Sequence, residues 1–86
     1  DVNTREISKN NVKLKLTEKE IDTIIFLGNQ KTPQSTKDLL RKVWGYIADI
    51  DTHTVETHIY RLRKKINERF NDENFIKSQE KGYQIL

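Results

Sequence analysis

The chain has 86 residues, of which 34% are hydrophobic and 34% are charged, and its net charge is +3 with a pI of about 9.2. This length predicts one domain, spanning 1–86, with a small core. With two histidines and no cysteine, the sequence predicts neither a disulfide framework nor a structural zinc site. We also expect no other metal and no cofactor.

No apolar run approaches the roughly 18 residues that a membrane helix requires, and no signal-peptide pattern opens the chain. We therefore expect a cytoplasmic protein without a membrane partner. The chain starts at Asp1 without an initiator methionine, which suggests a piece of a longer protein. The mild positive charge is compatible with a nucleic-acid partner, but only clustering of the charge is informative.

An N-terminal β-hairpin is predicted from residues 3–8 and 11–16, because apolar residues alternate with lysines in VKLKL. Lys9-Asn10-Asn11 supplies the turn, since asparagine tolerates left-handed backbone geometry. Thr17 and Glu20 then form a capping box that starts a helix running to about Leu27. We assign five residues to its buried side: Ile21, Ile24, Ile25, Phe26 and Leu27.

The second predicted helix begins at a Ser35 cap, has Asp38 in its first turn and runs to about Trp44. Before it, residues 30–34 form a connector in which Pro33 favours an extended backbone. Gly45 ends the helix. Three residues are predicted to face inward: Leu39, Leu40 and Val43.

A loop with the sequence YIADID follows at residues 46–51. Its tyrosine and isoleucines are either exposed for a partner or folded back onto the core, and the sequence does not favour one over the other.

The third helix is predicted over 51–70, with Thr52 as its cap and Asp51 as the alternative. Apolar residues recur there at spacings of three and four, which places them on one stripe: Val55, Ile59, Leu62, Ile66 and Phe70. At about 100° per residue, the opposite side carries Thr57, Arg61, Lys64 and Glu68, flanked by His53 and Tyr60.

The polar face of this helix has two interpretations. Residues 61–69 carry five basic side chains against one acid, which suits a solvated helix whose cations lie near the C-terminal end of the dipole. The same residues suit a helix in a DNA major groove, where Arg reads guanine, Thr reads bases and Lys contacts phosphates.

The last segments, 75–79 and 82–86, are predicted to form a second hairpin bent at Glu80-Lys81-Gly82.

These elements predict an α+β winged helix-turn-helix, with an N-terminal hairpin, three helices and a C-terminal hairpin as the wing. The motifs LTEKE, STKDLL, VWGY, HTVETHIYRLRKKI and IKSQEKGYQIL occur in this order over nearly the whole chain. In these motifs the chain resembles the C-terminal output domain of OmpR/PhoB-type response regulators, which are transcription factors of bacterial two-component systems.

The resemblance implies sequence-specific binding of double-stranded DNA, with helix 53–69 in the major groove and the wing at the minor groove or backbone. Thr57 and Arg61 match positions that read bases. Six residues match positions near phosphates: Trp44, His53, His58, Tyr60, Arg63 and Lys64. His53 stands where the family usually has Arg. On the wing the matching residues are Lys81 and Tyr83. This wing is one residue shorter than usual, and the family's usual Arg-Gly-x-Gly-Tyr is reduced to Glu80-Lys81-Gly82-Tyr83.

The resemblance also implies partners. Four residues fall in a loop that contacts RNA polymerase in some members: Tyr46, Ile47, Asp49 and Ile50. A receiver domain is expected before Asp1, phosphorylated on aspartate in a phosphorelay from a histidine kinase. Such proteins act as dimers on DNA at the bacterial nucleoid, whereas the isolated domain is expected to be a monomer.

An enzyme is not predicted. The chain lacks a cysteine nucleophile, a GxSxG motif, a phosphate-binding glycine loop and any metal-ligand spacing, so no catalytic residue is assigned. The remaining alternative is a winged-helix module that docks an acidic protein without reading DNA. Binding to duplex DNA that depends on salt and on sequence distinguishes the two.

Overall fold

The structure is a computed structural model, and it describes residues 4–45 and 50–85. In chain order the elements are β1 (Glu6–Lys9), β2 (Val12–Lys15), α1 (Glu18–Gly28), α2 (Thr36–Leu39, continued by a π-helical turn over Leu40–Trp44), α3 (Thr52–Phe70), β3 (Lys77–Gln79) and β4 (Gly82–Gln84). This order confirms the predicted α+β winged helix with a hairpin at each end. No helix in the described ranges is long and apolar enough to cross a membrane.

The first hairpin pairs β1 with β2 in antiparallel register, with Glu6 opposite Lys15 and Lys9 opposite Val12. The two turn residues, Asn10 and Asn11, have φ values of 53° and 68°. Two consecutive residues with positive φ match the turn that joins twisted strands most easily, and asparagine adopts this geometry at low cost. Both strands are shorter than predicted, and Lys9, which the sequence assigns to the turn, is the last residue of β1. Residue 3 of the predicted segment 3–8 lies outside the described residues.

The core lies between the three helices and is organised by the predicted stripe on α3. Val55, Ile59, Leu62 and Ile66 are each 3% exposed or less, and Phe70 packs against them half-buried. The remaining core residues come from every other part of the chain: Leu16, Ile21, Leu27, Leu39 and Ile76. Burying such side chains stabilises the fold by about 1.5–3 kcal/mol each, so α3 is held mainly by this stripe.

The buried side of α1 differs from the prediction. Ile25 is 41% exposed and Ile24 is only half-buried, whereas Glu20 and Thr23 are buried at 5% and 0%. The capping box of Thr17 and Glu20 is present, but the Glu20 carboxylate also faces α3. Because α3 supplies hydrogen-bond partners, Glu20 and Thr23 can face inward where the sequence predicts isoleucine.

Two further local predictions need correction. The cap of α3 is Asp51 and not Thr52, because Asp51 Oδ1 accepts hydrogen bonds from the Thr54 N–H and hydroxyl at 3.0 and 3.2 Å. The second helix is not a uniform α-helix up to Trp44. Its final turn widens, so that the N–H of Gly45 donates to the carbonyl of Leu40 five residues earlier.

The wing is the hairpin β3–β4, in which Lys77 lies opposite Gln84 and Gln79 opposite Gly82. Its strands are shorter than the predicted segments 75–79 and 82–86. Gln34 and Tyr83 exchange two backbone hydrogen bonds of 2.8 Å, so β4 also pairs with the extended connector predicted around Pro33. The wing is therefore attached to the body next to the start of α2.

Candidate nucleic-acid interface

The outward face of α3 carries the two predicted base-reading residues. Arg61 is exposed and Thr57 is half-buried, on the side of α3 opposite the core stripe. Arg61 makes no hydrogen bond or ion pair within residues 4–45 and 50–85, whereas the neighbouring Lys64 lies 4.0 Å from Glu68. Arg61 is thus a cation whose guanidinium donors are all available to a ligand.

Two shallow recesses flank this face and divide the predicted DNA contacts between them. The first, of about 540 Å³, lies between α3 and the start of α1. Five predicted contacts line it: Trp44, His53, Thr57, His58 and Arg61. The second, of about 440 Å³, is lined by the other three on α3: Tyr60, Arg63 and Lys64. The two recesses are therefore lined by all eight residues, seven of them on α3 and Trp44 at the end of the second helix.

His58 is more enclosed than a phosphate contact needs to be. Its ring is half-buried, meets Trp44 edge to face at 4.9 Å, and places Nε2 3.1 Å from the Thr23 hydroxyl. That hydroxyl donates its single proton to the Lys19 carbonyl at 2.7 Å, so it accepts from a protonated Nε2. Nδ1 is then the acceptor nitrogen of the neutral ring, so it can donate to a phosphate only when the imidazole is protonated. The predicted phosphate contact of His58 stays a prediction for the protonated ring.

The surroundings of His58 also favour its neutral form. Burial lowers the pKa of the imidazole, and the nearby Lys65 ammonium lowers it further. The Glu20 carboxylate and the Lys19 carbonyl oppose this effect without overcoming it.

The ion pair between Glu20 and Lys65 was not predicted. Lys65 Nζ donates to Glu20 Oε1 at 2.7 Å, and the same oxygen accepts the Thr17 N–H at 2.8 Å. Burial raises the pKa of this carboxyl, but the bonds from Lys65 and Thr17 together outweigh it and hold the pKa below its usual value. The capping box could be recognised in the sequence, but nothing there indicated that its acid reaches a lysine 45 residues away.

Not all five basic side chains of residues 61–69 are therefore available to bind DNA. Lys65 is paired with Glu20, and Arg69 Nε donates to the Lys13 carbonyl at 2.7 Å. Arg63 is half-buried, and its Nε is buried without a hydrogen-bond partner in the described part of the chain. The side chain of His53 is 84% exposed, with Nδ1 3.7 Å from Glu56.

The wing presents Lys81 at its exposed tip beside Glu80, while Tyr83 is half-buried and bonded through its backbone to Gln34. Of the predicted polymerase-contact residues, Tyr46, Ile47 and Asp49 lie outside the described residues, and Ile50 is half-buried. Within the described ranges no three His, Cys, Asp or Glu side chains are grouped so that they could hold a metal ion.

A helix that buries one stripe in a three-helix core, exposes an arginine on the other side and is followed by a hairpin defines a winged-helix DNA-binding domain. Residues 10–85 match the family described as "Transcriptional regulatory protein, C terminal", and the chain belongs to this family. This confirms the OmpR/PhoB-type resemblance, and the family comprises DNA-binding output domains rather than enzymes.

Individual relatives agree with this assignment. The chain is 38% identical over 69 residues to the probable transcriptional regulator ycf27 of Guillardia theta, covering 77% of this chain and 27% of the relative. It is 36% identical over 67 residues to the DNA-binding response regulator MtrA of Mycobacterium bovis, covering 77% and 29%. The DNA-binding domain of Bacillus subtilis CssR superposes with a TM-score of 0.77 at 28% identity, covering 98% of this chain and 93% of that one. The chain spans about a third of the length of the curated relatives it matches.

Proposed function

We propose that this domain regulates transcription by laying α3 in the major groove of a specific DNA site, with Thr57 and Arg61 contacting base edges. The observation that supports this most strongly is the free guanidinium of Arg61, opposite a stripe that is almost entirely buried. Guanidinium donors match the O6 and N7 acceptors of guanine, and the Thr57 hydroxyl or methyl matches a base edge or a thymine methyl.

The residues of the two recesses would then hold the phosphates on either side of the groove. On the α1 side these are Trp44, His53 and His58, the last donating from Nδ1 when its ring is protonated. On the other side they are Tyr60, Arg63 and Lys64, where Arg63 would reach a phosphate through the terminal nitrogens of its guanidinium. At the wing, Lys81 would contact the backbone, with Tyr83 placed behind it.

For the whole protein we propose the organisation of a two-component response regulator. A receiver domain would precede this domain, take a phosphoryl group from a histidine kinase and promote dimerisation on DNA. The loop with Tyr46, Ile47, Asp49 and Ile50 would be the surface for RNA polymerase. The relatives named as response regulators and transcriptional regulators support this organisation, as does the fraction of their length that this chain matches. Its place would be the bacterial cytoplasm, at the nucleoid.

The test is binding-site selection on random duplexes, followed by fluorescence anisotropy of the best site at several salt concentrations. Because Lys65 and Arg69 are engaged inside the domain, we expect only about four cations to reach phosphates, and log affinity to fall with log salt at a slope of about −4. A module that docks an acidic protein would select no duplex sequence. A salt-independent response, or no selected sequence, would contradict the proposal.

A further inference from the structure

Two polar residues of α1 contact α3 directly, although neither is among the proposed DNA contacts. Glu20 binds Lys65 at 2.7 Å, and Thr23 binds His58 at 3.1 Å. Within the described part of α1 they are the only buried polar side chains, at 5% and 0% exposure. They lie three residues apart on α1, so they occupy one face about one turn apart.

The two partners also share a stripe on α3. His58 and Lys65 are seven residues apart, which at about 100° per residue leaves them only about 20° apart around the helix axis. This stripe borders the DNA-facing side, because Lys65 lies only about 40° from Arg61. Two attachments two turns apart on one stripe oppose both rotation of α3 about its axis and sliding along it.

A third contact extends the arrangement to Trp44. Lys19, next to Glu20, donates from Nζ to the Val43 carbonyl at 3.1 Å, and the adjacent Trp44 packs its ring against His58. The first two turns of α1 therefore hold both the end of the second helix and the DNA-facing helix.

Stability alone does not explain the buried carboxylate. Removing the Glu20 carboxylate from water is unfavourable, although the Lys65 side chain stays 38% exposed. A well-packed apolar pair of similar volume is often as stable as an ion pair of this kind, or more so. What an apolar pair lacks is direction, whereas the two hydrogen bonds here fix where His58 and Lys65 lie. Rotation of a helix by 10–20° is enough to spoil a polar contact at its far side.

We propose that Glu20 and Thr23 are positioning residues for base readout: through Lys65 and His58 they hold α3 at the rotation that directs Arg61 and Thr57 into the groove. This inference rests on the proposed function of α3. It also makes Lys65 a structural cation that contacts no phosphate.

The chain offers a matched control, because it has two capping boxes of the same kind. In each, the acid accepts the N–H of the cap residue: Glu20 that of Thr17 and Asp38 that of Ser35. Glu20 also reaches α3, whereas the one ion pair of Asp38 within residues 4–45 and 50–85 is with Arg41 on its own helix. Glu20→Gln and Asp38→Asn therefore make the same change to a cap, but only the first removes a charge from the link to α3.

The readout is the ratio of the dissociation constants for random DNA and for the best selected site, measured well below the melting temperature of each variant. We expect Glu20→Gln, and separately the nearly isosteric Thr23→Val, to lower this ratio about fivefold or more, since base contacts are misdirected. Asp38→Asn should keep the wild-type ratio. In Glu20→Gln, affinity for random DNA should not fall, because Lys65 is released as an additional cation.

A double-mutant comparison measures the contribution of the interaction between Glu20 and Lys65. Lys65→Gln should lower the ratio as Glu20→Gln does, and combining the two should lower it little further, because they break one interaction. If Glu20→Gln and Thr23→Val both retain a large wild-type ratio, or if Asp38→Asn lowers it equally, the positioning role is overturned. A ratio near one in the wild type would instead overturn the proposed function, and this inference with it.

Discussion

The helix α3 and the wing are both attached to the body of the domain, but by different chemistry. On the α1 side the links are between side chains, and they include the ionisable groups of Glu20, Lys65 and His58. On the wing side Gln34 and Tyr83 exchange two backbone hydrogen bonds, and the Gln84 side-chain amide donates to the Lys31 carbonyl at 3.1 Å, so no ionisable group takes part in these bonds. Side-chain links depend on charge and hydrogen-bonding groups, whereas the backbone link depends on how closely two chain segments approach.

The close approach at the wing depends on Gly82. Its φ of 140° is rarely adopted by other residues, and a Cβ there would overlap the carbonyl group of Gln34 and crowd the Ser35 nitrogen. We therefore expect the attachment of the wing to depend on Gly82 and not on pH. The α1–α3 link should depend on pH, and no glycine is needed for it.

The largest effect is expected from Gly82→Ala. The added methyl must displace the backbone of Gln34 and strain the wing turn, so we expect unfolding to become easier by about 3 kcal/mol or more. Urea denaturation of the isolated domain measures this directly.

Gly28→Ala is the matched control, since a Cβ at Gly28, the last residue of α1, meets nothing within 4 Å. It should be neutral or stabilise the domain by up to about 1 kcal/mol, because alanine favours the helix. If the two variants were equally stable, the wing would not be held by the approach described here.

A change of pH is expected to have a smaller effect on the stability of the domain. The pKa of His58 is lowered by burial from its ordinary 6.5, so the unfolded chain binds this proton more readily than the folded one. Stability from a neutral His58 is fully present above about pH 6.5 and is lost as the pH falls through the folded pKa. The lowered pKa of Glu20 adds a second loss below about pH 4.5.

Melting temperature measured from pH 4 to 8 should therefore fall on acidification. His58→Gln, whose amide can still donate to Thr23, should remove the upper part of this decline, whereas His53→Gln, at an exposed site, should leave it in place. An unchanged decline in His58→Gln would mean that the buried imidazole is not its source.

The smallest effect is expected at the wing tip. Lys81 is exposed beside Glu80 at the tip of the hairpin. Lys81→Ala should weaken binding mildly and equally on all duplexes, with a salt slope about one unit shallower, since a phosphate contact carries no base information. Loss of preference at a single A·T-rich position would show that the wing reads the minor groove instead.

The features that could be predicted from the sequence are those set by local rules. The 3.6-residue period identified the buried stripe of α3, and the Thr17–Glu20 capping box located the start of α1. The order of the elements and the family followed from these and from the motifs.

Features that depend on tertiary partners could not be predicted. The burial of Thr23 in place of Ile25 is determined by His58, 35 residues away, and the pairing of Lys65 with Glu20 crosses 45 residues. Hydrophobic periodicity treats every polar residue as outward-facing, so it misses positions where a partner on another helix supplies the missing hydrogen bond. The π-helical turn before Gly45 has no signal in the sequence that we recognise.

The central claim is that α3 presents Arg61 to bases and Arg63 to the backbone, and one measurement tests it most directly. Affinities of Arg61→Ala and Arg63→Ala are compared on the selected site and on random DNA by fluorescence anisotropy. Arg61→Ala should cost about 1–3 kcal/mol on the selected site and much less on random DNA. Arg63→Ala should weaken both equally, and should also lower the melting temperature because its half-buried stem packs against the domain. If Arg63→Ala abolished discrimination while Arg61→Ala preserved it, α3 would not bind DNA in the orientation described here.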